Sequence, residues 1–132
     1  SEYNLESETT RIFQIWIIPD FQEQPPSWGA RPFPKGDRSG RFVALASGFG
    51  DDGDALPLRT NARVLGATLK AGESTEYTLA AGRYAYLVAA VGKIEVNGIR
   101  LDARDGAAIR DEAALSIMAL EDTELVLVDT AA

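Results

Sequence analysis

The sequence predicts an all-β domain built as a sandwich, a barrel or a jelly roll. Apolar residues recur mostly with a period of two, as they do in strands that bury one face. In the second half of the chain, glycine-containing turn signals separate short apolar segments at regular spacing, which is typical of these three architectures. The 132 residues, of which 45% are hydrophobic, suffice for one domain with its own core and are too few for two of ordinary size.

The first half of the chain contains two predicted strands with a long loop between them. Arg11–Ile18 is rich in β-branched and aromatic residues and ends at Pro19, which predicts a strand. Residues 20–40 contain four of the six prolines, which predicts an extended surface loop held in place by its aromatic side chains. Arg41–Ala46 predicts the second strand, and Gly48–Asp54 predicts a tight acidic turn.

The second half of the chain predicts short strands joined by tight turns. Asn97-Gly98 lies between alternating apolar residues and predicts a type I′ hairpin, because both turn residues accept a positive φ. Asp111–Leu120 contains good helix formers, but its apolar residues alternate from Leu115 to Ala119, which favours a strand. The predicted strands are Arg63–Leu69, Ser74–Leu79, Arg83–Val91, Lys93–Val96, Ile99–Leu101, Ala107–Ile109, Leu115–Ala119 and Glu124–Val128.

The composition excludes several classes of chemistry. The chain contains no cysteine and no histidine, so it has no disulfide, no thiolate nucleophile and no imidazole base or metal ligand. A net charge of −7 argues against nucleic-acid and membrane-surface partners. The absence of cysteine also gives no sign of an oxidising compartment, so we expect a cytoplasmic protein.

The glycine-rich turn could be interpreted as a dinucleotide-binding loop or as a calcium-binding loop, and we favour neither interpretation. Gly48–Gly53 has the spacing of a dinucleotide-binding loop, but it contains two aspartates and is followed by Pro57, which opposes the helix that such a loop needs. Asp51, Asp52 and Asp54 do not have the spacing of an EF-hand calcium loop. We therefore expect a solvated turn here. Trp16, Phe13 and Trp28 are expected to anchor the core and the long loop.

Several segments together resemble one family from end to end of the chain. Ser1-Glu2-Tyr3-Asn4 followed by Gln14–Pro19 resembles the stretch that joins the two halves of pirin-like bicupins, which include bacterial proteins described as quercetin 2,3-dioxygenases. The segments that agree with this family in order and spacing are Gly92–Gly98, Asp105–Ile109, Asp111-Glu112, Leu115–Ile117 and Glu124–Asp129.

The resemblance implies a cupin-type antiparallel jelly roll, which is a small β-barrel. It also implies that residues 1–132 form a single domain, the C-terminal cupin of a pair, in which residues 1–10 are the remnant of the inter-domain junction. The N-terminal cupin is then a missing partner domain.

The resemblance implies that a metal, iron or another divalent ion, lies only in the missing N-terminal cupin. In that family three histidines and one glutamate bind the metal, and the last two ligands lie in a His-Ser-Glu-Tyr-Asn segment. Glu2 matches the glutamate ligand, but without the histidines we do not expect it to bind metal. Ligand positions of a metal-bearing cupin would fall near Leu79, Ala81 and Tyr86, none of which suits iron. We therefore expect no catalytic residue and no cofactor in this chain.

The function implied is that of a metal-free, non-catalytic structural partner of the N-terminal cupin. One alternative is that the chain is part of a metal-dependent quercetin 2,3-dioxygenase-type enzyme. Another is a small-molecule binding module, whose cavity Tyr84, Tyr86, Trp16 and Met118 would line. A third is a protein-binding module, in which a homodimer covers the exposed former interface.

Overall fold

Strands dominate the computed structural model, which describes residues 3–132. Within these residues it has ten strands, one turn of 3-10 helix (Lys35–Arg38) and no α-helix. No helix of this part of the chain is long and apolar enough to cross a membrane. The strands are β1 (Val43–Ser47), β2 (Leu56–Pro57), β3 (Ala62–Leu69), β4 (Ser74–Thr78), β5 (Arg83–Val91), β6 (Ile94–Val96), β7 (Ile99–Leu101), β8 (Gly106–Ile109), β9 (Ala114–Ala119) and β10 (Thr123–Ala131).

The strands form two sheets that pack against each other. One sheet has six strands in the order β2-β1-β3-β10-β5-β8, and the other has four in the order β4-β9-β6-β7. Neighbouring strands are antiparallel except β1 and β2. Strand β10 lies between β3 and β5 and therefore forms the centre of the larger sheet. This double sheet is the jelly roll that the sequence predicts.

The core lies between the two sheets and follows the period-two pattern of the strands. In β10, Leu125 and Leu127 are buried and point inward, while Val126 and Val128 face the other side and are only partly buried. Ile117 of β9 is fully buried and contributes from the smaller sheet. Since successive side chains of a strand point to opposite faces, this alternation produces one apolar inner face per sheet.

Most of the predicted strands are confirmed. Arg83–Val91 and Ile99–Leu101 have the predicted bounds, and β10 extends three residues beyond the predicted end at Val128. The ambiguous segment Asp111–Leu120 contains strand β9 and no helix, as its alternation favours. The short strand Leu56–Pro57, which pairs with the edge of β1, was not predicted.

The strand predicted at Arg11–Ile18 is wrong. This segment is irregular, and Trp16 is 87% exposed. A strand needs a partner for its backbone groups as well as suitable side chains, and no strand of the described residues pairs with this one. The predicted anchoring role of the aromatic residues is also wrong, because Trp28 is 92% exposed and Phe13 is half exposed.

The turn at Asn97-Gly98 has the predicted left-handed backbone. The φ angles are 46° at Asn97 and 83° at Gly98, as a type I′ turn requires. The Asn97 side chain also donates to the carbonyl of Ala114 and accepts from the backbone N–H of Ser116. The turn is therefore tied to the neighbouring strand β9.

Replacing Gly98 by alanine should destabilise the fold by about 1 kcal/mol, because a Cβ atom disfavours a positive φ. No atom lies within 4 Å of the position of that Cβ, so backbone strain is the main cost. Urea unfolding measures the change. The control is Gly53→Ala, where the space is equally open and φ is not in the left-handed region. An equal effect at both positions would contradict the strain argument.

Candidate functional site

The inward positions at one end of the jelly roll carry polar side chains instead of apolar ones. Arg63 is the second residue of β3 and Arg83 is the first of β5, and Asp129 lies two residues before the end of β10. Each of these residues is two positions away from a buried core residue on its own strand, so its side chain points into the barrel. We call this group the polar cluster; it consists of Ser47, Phe49, Asp52, Asn61, Arg63, Tyr77, Arg83 and Asp129.

The carboxylate of Asp129 is the most deeply buried charge of the polar cluster. Asp129 is 3% exposed. Its Oδ1 accepts a hydrogen bond from Nε of Arg83 at 2.6 Å, and its Oδ2 accepts one from the hydroxyl of Tyr77 at 2.5 Å. The Arg83 guanidinium also donates to the side-chain oxygen and the carbonyl of Asn61. The buried carboxylate and guanidinium therefore satisfy each other.

A second ion pair lies beside the first. Arg63 donates to both carboxylate oxygens of Asp52, at 2.7 and 3.1 Å. The planar guanidinium of arginine is suited to this bidentate geometry. The hydroxyl of Ser47 donates to the same carboxylate at 2.5 Å. The loop after β1 thus supplies the carboxylate of this ion pair, and strand β3 supplies the guanidinium.

The ring of Phe49 closes the polar cluster. Its centroid lies 4.2 Å from the Cζ atom of Arg63 and 5.0 Å from that of Arg83. Both distances suit a cation–π interaction. Phe49 is placed here by its backbone N–H, which donates to the hydroxyl of Ser47. The protein's own side chains therefore fill this end of the barrel.

The surroundings change the acidity of two members of the polar cluster. Burial, together with the hydrogen bond to the Asp129 carboxylate, raises the pKa of Tyr77 to about 12. Burial alone lowers the pKa of Arg63, but hydrogen bonding to Tyr77 and Asp52 outweighs it and raises that pKa above its ordinary value. Tyr77 therefore stays protonated, and Arg63 stays charged, over the whole physiological range.

The raised pKa of Tyr77 predicts a loss of stability at alkaline pH. A phenol whose pKa is higher in the folded state stabilises the fold below its unfolded pKa of about 10, and this contribution is lost as the pH rises toward 12. We expect the free energy of unfolding of the wild type to fall more steeply between these values than that of Tyr77→Phe. Urea unfolding at a series of pH values measures both slopes, and parallel slopes would contradict the assignment.

The sequence did not reveal the polar cluster, although it contained signals of it. The acidic turn was predicted to be solvated, but the Asp52 side chain is only 16% exposed and is paired with Arg63, whereas Asp51 is exposed. Asp129 continues the inward alternation of Leu125 and Leu127. A charge at an inward position of an apolar strand is a signal of a buried pair.

The positions that the family resemblance suggested do not form a site. Leu79 is buried in the core, while Ala81 and Tyr86 are exposed. Glu2, the family-matched ligand position, lies outside the described residues. The described residues contain no group of three or more Asp or Glu side chains arranged to hold a metal.

The prediction of a cavity lined by aromatic residues is wrong. Tyr84 and Tyr86 alternate with the inward residues of β5 and therefore face outward, each about half exposed. Met118 lies on the outer face of β9 in the same way, and Trp16 is in the irregular segment. The interior of the barrel is instead filled by aliphatic side chains and the polar cluster.

A second feature lies on the outer face of the six-stranded sheet. The irregular segment at residues 9–13 crosses this face and leaves a groove of about 1000 Å³. Its lining includes Val126 and Ala90 of the sheet and the ring of Phe13. We call it the basic groove, because its lining also contains the four basic residues Arg11, Lys35, Arg38 and Arg104.

Comparison with known proteins identifies the family. The family described as "Quercetinase C-terminal cupin domain" matches residues 44–130. A pirin-like protein of Caulobacter vibrioides is 70% identical over 99% of this chain, and a putative quercetin 2,3-dioxygenase of Pseudomonas aeruginosa is 62% identical over the same share. The quercetin 2,3-dioxygenase of Escherichia coli is 31% identical over 98% of this chain.

A solved structure supports the same assignment. The Escherichia coli pirin YhhW, solved in complex with nickel(II), matches 88% of this chain with a TM-score of 0.79 and 28% identity, and the match covers 48% of YhhW. This chain spans 56% of the Caulobacter and Pseudomonas relatives and 54% of the Escherichia coli dioxygenase. It therefore belongs to the quercetinase C-terminal cupin family and corresponds to the C-terminal half of its pirin-like relatives.

Proposed function

We propose that residues 1–132 are the non-catalytic, metal-free cupin of a two-cupin protein and that they serve as the structural partner of a metal-binding N-terminal cupin. The observation that carries this proposal is the polar cluster. Its two carboxylates, Asp52 and Asp129, are each bound to a guanidinium at the end of the barrel. The side chains that could offer oxygen ligands there already stabilise the fold.

Releasing these carboxylates for a metal would be costly. A metal that took Asp129 from Arg83 would leave a guanidinium that is only 12% exposed without its partner, and breaking such a pair costs about 3–5 kcal/mol. The chain has neither histidine nor cysteine to provide the nitrogen and sulfur ligands that iron, nickel and copper favour. The donor set therefore does not fit a transition metal.

The remaining parts of the proposal concern the whole protein. Its N-terminal cupin would hold iron or another divalent metal, with residues 1–10 as the junction and Glu2 as a ligand only in that context. The names of the Pseudomonas and Escherichia coli relatives support dioxygenation of quercetin by such a protein. The nickel(II) bound to YhhW supports a divalent metal in it. We place this protein in the cytoplasm.

Oxygen uptake tests the absence of catalysis in this domain. The isolated chain, incubated with Fe²⁺ and then with quercetin, should consume oxygen no faster than the same Fe²⁺ and quercetin without protein. Adding the metal-loaded quercetin 2,3-dioxygenase of Escherichia coli to the same cell is the positive control. Oxygen consumption that requires the chain and is proportional to its concentration would overturn the proposal.

A protein-binding role of the isolated domain is a second candidate, favoured by an exposed apolar surface. Trp16 and Ile18 are 87% and 88% exposed, and large apolar residues are seldom left uncovered as a group. We infer that two copies of the chain pack against each other through this surface and so cover it. Light scattering should give twice the chain mass for the wild type and the chain mass for Trp16→Glu. A wild-type monomer at high concentration would rule the homodimer out.

A further inference from the structure

We infer that the basic groove is the surface on which the N-terminal cupin docks, and that it receives an apolar segment flanked by carboxylate side chains. This inference rests on the proposed function, since it names the contact surface of the partner half. The charge of the groove, its apolar floor and the position of the segment that forms its wall support it.

The charge of the groove is opposite to that of the chain. The net charge of the chain is −7, yet the groove has four basic residues and one acidic residue, Glu124, in its lining. Glu124 is paired with Lys35. Within the described residues, Arg11 and Arg104 have no acidic partner. The groove is thus a local positive region, and such a region favours a negatively charged partner surface.

One arginine of the groove is held in place by its surroundings. Arg38 donates to the carbonyl of Phe33 at 2.7 Å. Its side chain also crosses Gly66, where an added Cβ atom would lie 3.1 Å from the Arg38 Cδ. A glycine in the middle of β3 therefore gives this arginine its place over the sheet. A positioned guanidinium loses less entropy when it binds a carboxylate.

The floor and wall of the groove are apolar and accessible. Val126 and Ala90 lie on the outer face of the sheet and are only partly buried, while Phe13 and Ile12 are 51% and 65% exposed. An apolar centre bordered by arginines is the usual composition of a protein interface. The groove therefore fits a segment with apolar residues in the middle and acidic residues at its sides.

The N-terminal half of the relatives is the partner that this position favours. The match covers 56% of the Caulobacter protein, and since the family is a C-terminal domain, the rest of that protein precedes the matched part. In such a protein the preceding half is joined to the segment that forms the groove wall at residues 9–13. A short tether gives the two halves an effective concentration of about millimolar.

The test uses a full-length chimera, in which this chain replaces the matched part of the Caulobacter protein. Calorimetry gives the melting temperature of this domain in the chimera and in the isolated chain. The test variants are Arg11→Glu and Arg104→Glu. The matched control is Arg110→Glu, because Arg110 is also an exposed arginine but does not line the groove.

Each outcome bears on a different part of the argument. We expect this domain to melt at a higher temperature in the chimera, and each groove variant to lower that temperature by about 3–6 °C while leaving the isolated chain and the Arg110→Glu chimera unchanged. If this domain melts at a higher temperature in the chimera but the groove variants do not lower that temperature, the groove is not the docking surface, while the proposed function stands. Two independent transitions, with this domain melting as it does in isolation, would overturn the proposed function.

Discussion

Replacing Asp129 by asparagine will destabilise the fold by about 3–5 kcal/mol, the usual cost of removing one partner of a buried ion pair. The substitution keeps the shape of the side chain but leaves the charge of Arg83 uncompensated, and Arg83 is 12% exposed. It also takes from the Tyr77 hydroxyl its charged acceptor. Urea unfolding at neutral pH measures the change.

The control is Asp102→Asn, which removes an ion pair at the surface. Asp102 lies 3.5 Å from Arg100, and both side chains are 61% exposed. Such a pair contributes about 0–1 kcal/mol. If Asp129→Asn lowers the free energy of unfolding no more than Asp102→Asn does, the polar cluster does not stabilise the fold. The carboxylate of Asp129 is then available for another role.

Replacing Ile117 by alanine will destabilise the fold by about 2–5 kcal/mol, because it removes buried methyl groups and leaves a cavity in a packed interior. Ile117 is fully buried between the two sheets. Its neighbour Met118 points to the other face of β9 and is 38% exposed, so Met118→Ala is the matched control and should cost about 1 kcal/mol or less.

Comparable losses for the two variants would contradict the assignment of faces on β9. A small loss for Ile117→Ala would instead indicate that the wild-type barrel is loosely packed around Ile117 and has room for a ligand. Native mass spectrometry of the wild type, with and without small apolar molecules, distinguishes the packed barrel from the ligand-binding one.

The strands of the second half could be predicted because their signals are local. A turn residue such as Gly98 and the alternation of the flanking residues specify a hairpin without reference to the rest of the chain. The segment Arg11–Ile18 has equally good strand composition and was still wrongly predicted, since pairing depends on a free strand edge at the right place. The sequence does not show where the edges of the sheets lie.

The polar cluster could not be predicted because its parts are far apart in the sequence. Asp129 lies 46 residues from Arg83, and Tyr77 lies 52 residues from Asp129. Only the register of β10 between β3 and β5 brings Asp129 to the same end of the barrel as the two arginines. Alternation shows that Asp129 points inward, but it does not identify the partner.

Equilibrium dialysis of the isolated chain against Ni²⁺, followed by elemental mass spectrometry, shows whether the chain's own ion pairs occupy the end of the barrel where metal ligands would be needed. We expect less than about a tenth of an equivalent of tightly bound nickel, because carboxylates paired with arginine are poor ligands for this ion. One equivalent per chain that is retained on gel filtration and lost in Asp129→Asn would contradict the account.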